Sequence, residues 1–152
     1  MIYRTARMVT GSREDAEDIV QTRFVRLLRG EYTSKLQGNP RGYLHQAAVN
    51  LALDVLRRRR RRTFIHDVDT LVAPEPAGPD DRLAHHQLDA ALADLEPDAV
   101  HILTLRYVHG YKLTEIARLL GTSRGAIALR FFRVRQRLKK LLARRTALSE
   151  RQ

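Results

Sequence analysis

Two groups of cations in this chain have the charge and spacing to bind phosphates. The first is Arg124, Arg130, Arg133, Arg135 and Arg137, within the stretch 113–138, LTEIARLLGTSRGAIALRFFRVRQRL. That stretch reads as two helices joined by a tight turn. Ile116, Ala117 and Leu120 make the inward face of the first helix, and Gly121 suits the left-handed conformation that ends it. Ser123 is an N-cap for a second helix whose apolar stripe is Ile127, Phe131, Val134, Leu138 and Leu141. A small residue at Ala117, a glycine four later and a branched aliphatic ten later form the helix-turn-helix pattern, whose second helix enters a DNA groove. The alternative is a basic hairpin with a solvated face.

The second group is the unbroken run Arg57 to Arg62. It closes a helix that starts at Asn39-Pro40, with Asn as N-cap and Pro at the first position. Tyr43 or Leu44, Ala47, Ala48, Leu51 and Val55 are its buried stripe. Asn50, Asp54 and Arg57 or Arg58 fall together on another face. Cations at a helix end complement its dipole, but this run exceeds what a cap needs, and a phosphate-contacting role is expected.

Glu14, Asp15, Glu17 and Asp18 crowd the first turns of another helix. No nucleophile, cleft or histidine ligand accompanies them, so they are a solvated face or a docking surface for a basic partner. The six histidines are scattered; His85 and His86 are adjacent and point apart. No catalytic residue, metal site or cofactor is assigned, and no enzyme is expected.

The elements that must position these groups follow in order. Met1 to Val9 reads as a helix with Ile2, Ala6 and Val9 on one side, broken by Thr10-Gly11. Ser12 and Asp15 form a capping box that opens a helix to about Arg29, with Ala16, Val20, Phe24 and Leu27 buried. Residues 30–38 are a loop. Thr63 to Asp81 is acidic, and Pro74, Pro76, Gly78 and Pro79 forbid a regular element there. A helix from about Arg82 to Leu95 carries Leu88, Ala91, Leu92 and Leu95 inward. Pro97 opens the next, with Val100, Leu103, Tyr107, Ile102 and Leu105 inside, and Gly110 closes it. The tail after Arg145 is expected to fray.

The fold class is therefore all-α. Two small helical domains, 1–62 and 82–145, are joined by a flexible acidic Pro/Gly linker at 63–81, and the second domain is a helix-turn-helix. A formal charge of +11 and a pI near 10.9 point to a polyanion, nucleic acid before an acidic membrane surface. No apolar run approaches the roughly 20 residues that span a bilayer. No signal peptide opens the chain, and the lack of cysteine fits a cytoplasmic location.

Read together, the motifs resemble the extracytoplasmic-function group of bacterial sigma factors, promoter-specificity subunits of RNA polymerase in the sigma-70 family. SREDAEDIVQTRFVRLL is similar to their polymerase-docking helix, and NPRGYLHQAAVNLALDVLRRRRR to the helix that engages and melts the −10 element. The stretch from Leu88 to Leu142 is similar to the domain that reads the −35 element. The resemblance implies polymerase contacts by Asp15, Glu17, Asp18, Ile19, Gln21 and Phe24. It places Asn50, Asp54, Arg57 and Arg58 on −10 DNA, and Ser123, Arg124, Gly125, Ala128, Arg130 and Arg133 at the −35 groove. The implied partners are core RNA polymerase and promoter DNA.

Four departures from that pattern set further expectations. Relatives carry about one more helix before the equivalent of Tyr3, so either the start is misassigned or the first domain has an uncovered apolar side. Thr22-Arg23 replaces the usual Glu-Thr, which puts a cation on the docking helix. Lys112 stands where a Ser or Thr usually caps, at a cost of about 1 kcal/mol. Ala128-Leu129 replaces the usual Lys-Ser, and Phe132 a polar residue. Such side chains touch thymine methyls but donate no bidentate hydrogen bond, so −35 readout should be weak in base contacts and lean on cations and DNA shape. The same apolar patch could dock an anti-sigma factor or a DNA-bound recruiter. An ordinary helix-turn-helix regulator and a sigma-like adaptor are the rival readings.

Overall fold

The computed structural model describes residues 1–31, 38–65 and 79–149. Among them are seven helices and no strand: α1 (Ile2–Thr10), α2 (Arg13–Leu28), α3 (Pro40–Ile65), α4 (Pro79–Ala93), α5 (Pro97–Tyr107), α6 (Leu113–Leu119) and α7 (Arg124–Ser149). None of the described helices is long and apolar enough to cross a membrane.

Local chemistry sets the ends. Gly11 takes φ 66° and donates its N–H to the Arg7 carbonyl, closing α1. Ser12 Oγ accepts from the Asp15 N–H at 3.2 Å to cap α2, while the Asp15 carboxylate turns to Arg59 instead of completing a reciprocal box. Asn39 Oδ1 caps α3 through the Gly42 N–H at 3.0 Å. Two boundaries differ from expectation. Pro79 opens α4 rather than forbidding a helix, because proline suits a first turn that has no N–H to lose. Helix α7 also runs past Arg145, as far as Ser149. The expected linker lies largely at 66–78, outside the described residues.

Helices α1, α2 and α3 pack on one another, α7 packs on α4, α5 and α6, and α3 also lies against α4 and α5. One apolar core runs through both groups: Ala6, Val9, Ile19, Val49, Leu53 and Leu56 meet Leu92, Leu95, Val100 and Leu103. A smaller core of Ile102, Leu105, Ile116, Ala117 and Ile127 holds the helix-turn-helix. Helix α3 thus buries a second stripe, Val49, Ala52, Leu53 and Leu56, beyond the expected one. Each such leucine contributes about 1.5–3 kcal/mol on burial, so this seam is a packed surface and not a grazing contact.

Three inward assignments are corrected. Phe24 and Leu27 are 60% and 42% exposed, and α2 buries Ile19 and Arg23 beside the expected Ala16. Arg23 lies inside because its aliphatic stem covers the core while its guanidinium donates to the Ala47 carbonyl. Its cation is therefore not on a docking face. Tyr107 is also exposed, its ring 5.8 Å from that of Phe131.

Candidate nucleic-acid interface

Helix α7 builds the first cationic face. Ser123 Oγ accepts from the Ala126 N–H at 3.1 Å, capping the helix at the turn where Gly121 takes φ 63°. Ile127 is fully buried, with Phe131, Val134 and Leu138 half-buried behind it, so the helix is held from one side only. Ser123, Arg124, Gly125, Ala128, Arg130 and Arg133 are all exposed, together with Leu129 and Phe132. The preceding α6 lacks a hydroxyl cap, but the Glu115 carboxylate accepts from the Lys112 N–H at 2.6 Å and supplies half of a capping box.

Helix α3 builds the second. Asn50, Asp54 and Arg58 are exposed on one face, with Asn50 Oδ1 accepting from Gln46 and Arg58 Nε donating to the Asp54 carbonyl at 3.3 Å. Arg57 does not join them. It is half-buried, and it donates to the carbonyls of Ala93 and Leu95 at 3.1 and 3.0 Å, where α4 ends. Its neighbours divide the same way. Arg59 donates to the Thr10 carbonyl and pairs with Asp15, and Arg60 pairs with Asp94, while Arg61 and Arg62 are exposed.

The seam between the two helix groups is polar at several points. Asp94 accepts from Arg60 of α3 and, at 2.6 Å, from Arg145 of α7. Burial would raise its carboxyl, but hydrogen bonds from Arg60 and Arg145 and their charges outweigh that and hold it below its ordinary value. Arg4 donates to the Val108 carbonyl at 2.7 Å, and Asn39 to that of Leu119. Asp89, packed above Gly11, is pushed up to about 6 by burial, with Arg59, His85 and His86 opposing.

Three histidines meet at this seam, which their scatter in sequence gave no sign of. The rings of His45 and His101 stack at 4.6 Å, and His109 meets His45 edge-on at 5.0 Å. Thr5 Oγ1 lies 2.9 Å from His45 Nε2 and 2.7 Å from His109 Nε2, so it donates to one ring and accepts from the other. Burial, then the charges that His101 and His109 would carry, drop His45 to about 3. Burial takes His101 to about 4 against the pull of Asp98, and lowers His109 with help from Arg4.

The acidic face of α2 is split. Glu17, Asp18 and Gln21 are exposed, Glu17 pairing with Arg13 at 2.8 Å, and Phe24, Val25, Leu27 and Leu28 extend the face with exposed apolar side chains. Asp15 is half-buried against Arg59, and Ile19, at 4% exposure, belongs to the core and is not available for docking. A cleft of about 360 Å³ between α2 and α3 is floored by Ile19, Leu51 and Val55 and rimmed by Asp18, Arg58 and Arg62.

Comparison with known proteins matches this layout in both halves. A family model for sigma-70 region 2 covers residues 1–62, and one for sigma-70 region 4 covers 85–138. The chain is 36% identical to the RNA polymerase sigma factor CarQ of Myxococcus xanthus, over 84% of this chain and 74% of that protein. It is 34% identical to the ECF RNA polymerase sigma factor SigE of Mycolicibacterium smegmatis over 96% of this chain, and spans 59% of SigE's length. Its fold resembles that of the sigma factor RpoE from Bartonella quintana, solved with the anti-sigma factor NepR. That match has a TM-score of 0.51 at 24% identity, over 93% of this chain and 89% of that one.

Proposed function

The chain belongs to the extracytoplasmic-function group of the sigma-70 family, and from that premise we propose that it binds core RNA polymerase and directs it to promoters that it helps open. It acts in the cytoplasm and catalyses nothing itself. The observation that carries this reading is the presence, in one chain, of two exposed faces of different chemistry. On α3, Asn50, Asp54 and Arg58 combine hydrogen-bonding groups with a cation, which suits splayed bases and a separated strand. On α7, Arg124, Arg130 and Arg133 flank a helix that suits duplex DNA. Polymerase is engaged by the exposed end of α2, with Phe24 as apolar anchor and Glu17, Asp18 and Gln21 beside it.

Both faces can serve one promoter only if the seam opens. The −10 and −35 elements are roughly 80 Å apart along a duplex rising about 3.4 Å per base pair. A globule of this chain length is about 40 Å across. Opening also frees Arg57 for the phosphates near Arg58, and polymerase binding supplies the free energy. The test is co-purification with core polymerase followed by run-off transcription. Failure to bind polymerase while still binding duplex DNA would reduce the chain to a lone helix-turn-helix regulator.

A further inference from the structure

The exposed side of α7 has a layout that names the DNA it should prefer. This inference rests on the reading of α7 as the duplex-binding helix. Residues advance about 100° around a helix at each step. With Ile127, Phe131, Val134 and Leu138 facing inward, Gly125, Leu129 and Phe132 fall on the opposite edge, with Ala128 on its flank. Leu129 and Phe132 are 50% and 60% exposed. A Cβ built on Gly125 would meet nothing within 4 Å, so the backbone there can approach base edges closely. Arg124 and Arg135 border this edge on one side, and Arg130, Arg133 and Arg137 on the other, all of them exposed.

The arrangement is an apolar strip between two cationic rails. A major groove offers its complement: base edges along the floor and a row of phosphates on each wall. The width of the groove, about 12 Å, accepts a helix. Over its first three turns the strip carries no side-chain donor or acceptor; Gln136 is the next polar residue on that edge. A guanine, cytosine or adenine edge pressed against Leu129 would lose water from O6, N7, N4 or N6 without a replacement hydrogen bond, as would thymine at O4. Thymine differs, because it presents a methyl group.

We infer that α7 selects thymine through its C5-methyl groups, with Leu129 and Phe132 as the reading residues and Ala128 beside them. Specificity comes from methyl burial, the one favourable contact that sets thymine apart from bases whose edges also lose water against the strip, and affinity comes from the rails. The preferred upstream element is therefore rich in thymine at neighbouring positions.

The test is selection of duplexes from a randomised pool by the full-length chain, followed by replacement of each enriched thymine with deoxyuridine. That change removes the methyl and leaves base pairing intact. Enrichment of thymine is expected, with each replacement weakening binding about threefold to fivefold, the effect of one lost methyl burial. In Leu129→Ala and Phe132→Ser chains the two duplexes should bind alike while the salt dependence persists. Indifference of the native chain to deoxyuridine overturns the inference. So does selection of guanine or cytosine, or no enrichment at all, the result expected if the strip serves a protein partner. Run-off transcription with core polymerase separates the two readings. Methyl-dependent binding without transcription sinks only the sigma reading. Transcription that is equally strong from thymine and deoxyuridine templates sinks only this one.

Discussion

Arg57 leaves the face it was expected to share with Arg58 and donates to the carbonyls of Ala93 and Leu95, the open end of α4. One turn on, Arg60 meets Asp94 in the same corner, and Arg145 reaches that carboxylate from α7. A residue expected to face DNA therefore bridges the two helix groups.

Asp94→Ala should loosen that corner without unfolding either group. Both ion pairs are partly exposed, so after solvent screening their joint loss costs about 1 kcal/mol. The expected outcome is faster proteolysis between residues 65 and 79 and a larger radius of gyration by small-angle scattering. Unchanged values would show that the Asp94 ion pairs do not hold the seam closed.

Leu53→Ala removes a fully buried side chain from the core common to both groups and should cost about 2–5 kcal/mol in chemical denaturation. Ile19→Ala should likewise destabilise. Phe24→Ser, at an exposed site, should change stability by less than about 0.5 kcal/mol yet weaken polymerase binding at least tenfold in a pull-down titration. A reversed pattern, with Phe24 structural and Ile19 silent, would contradict the assignment of α2.

Acidification should destabilise the fold. His45 and His101 are held to about 3 and about 4, below the ordinary 6.5, so the unfolded chain binds protons that the folded chain refuses. Stability is complete above about 6.5 and falls as the pH drops toward 4 and then 3. Asp94, with its depressed carboxyl, adds to the loss on the acid side. Asp89 acts oppositely: raised to about 6, it is protonated first in the folded state and offsets part of the loss between about 6 and 3.8. Melting temperatures from pH 7.5 to 4.5 should decline, and His45→Gln should flatten the decline. A flat native profile would remove the buried histidine cluster from the account.

Much of this was legible because helix ends are local. Ser12, Asn39, Gly11 and Gly121 cap or terminate where their chemistry requires, and Ala117 and Ile127 lock the helix-turn-helix. The errors share a cause: periodicity reveals an apolar stripe but not its partner. Ala16, Ile19, Val20 and Phe24 permit two packing registers on α2, and Arg23, polar at its tip alone, carries no apolar signal for its place in the core. Val49, Ala52, Leu53 and Leu56 form a second apolar stripe on α3 that is visible in the sequence, but the stripe alone does not say that a second helix group covers it. Nothing local could bring His45, His101 and His109 together; only the seam does that.

If the proposed function holds, one chain applies two separate faces to one promoter. The direct measurement is run-off transcription with core polymerase on a mapped template, with permanganate detection of melted thymines. The native chain should give a defined start and an open bubble. Asn50→Ala with Arg58→Ala should leave the promoter occupied but closed, and Arg130→Ala with Arg133→Ala should lower occupancy instead. No transcript from any template, or identical loss from both pairs of substitutions, would contradict the account.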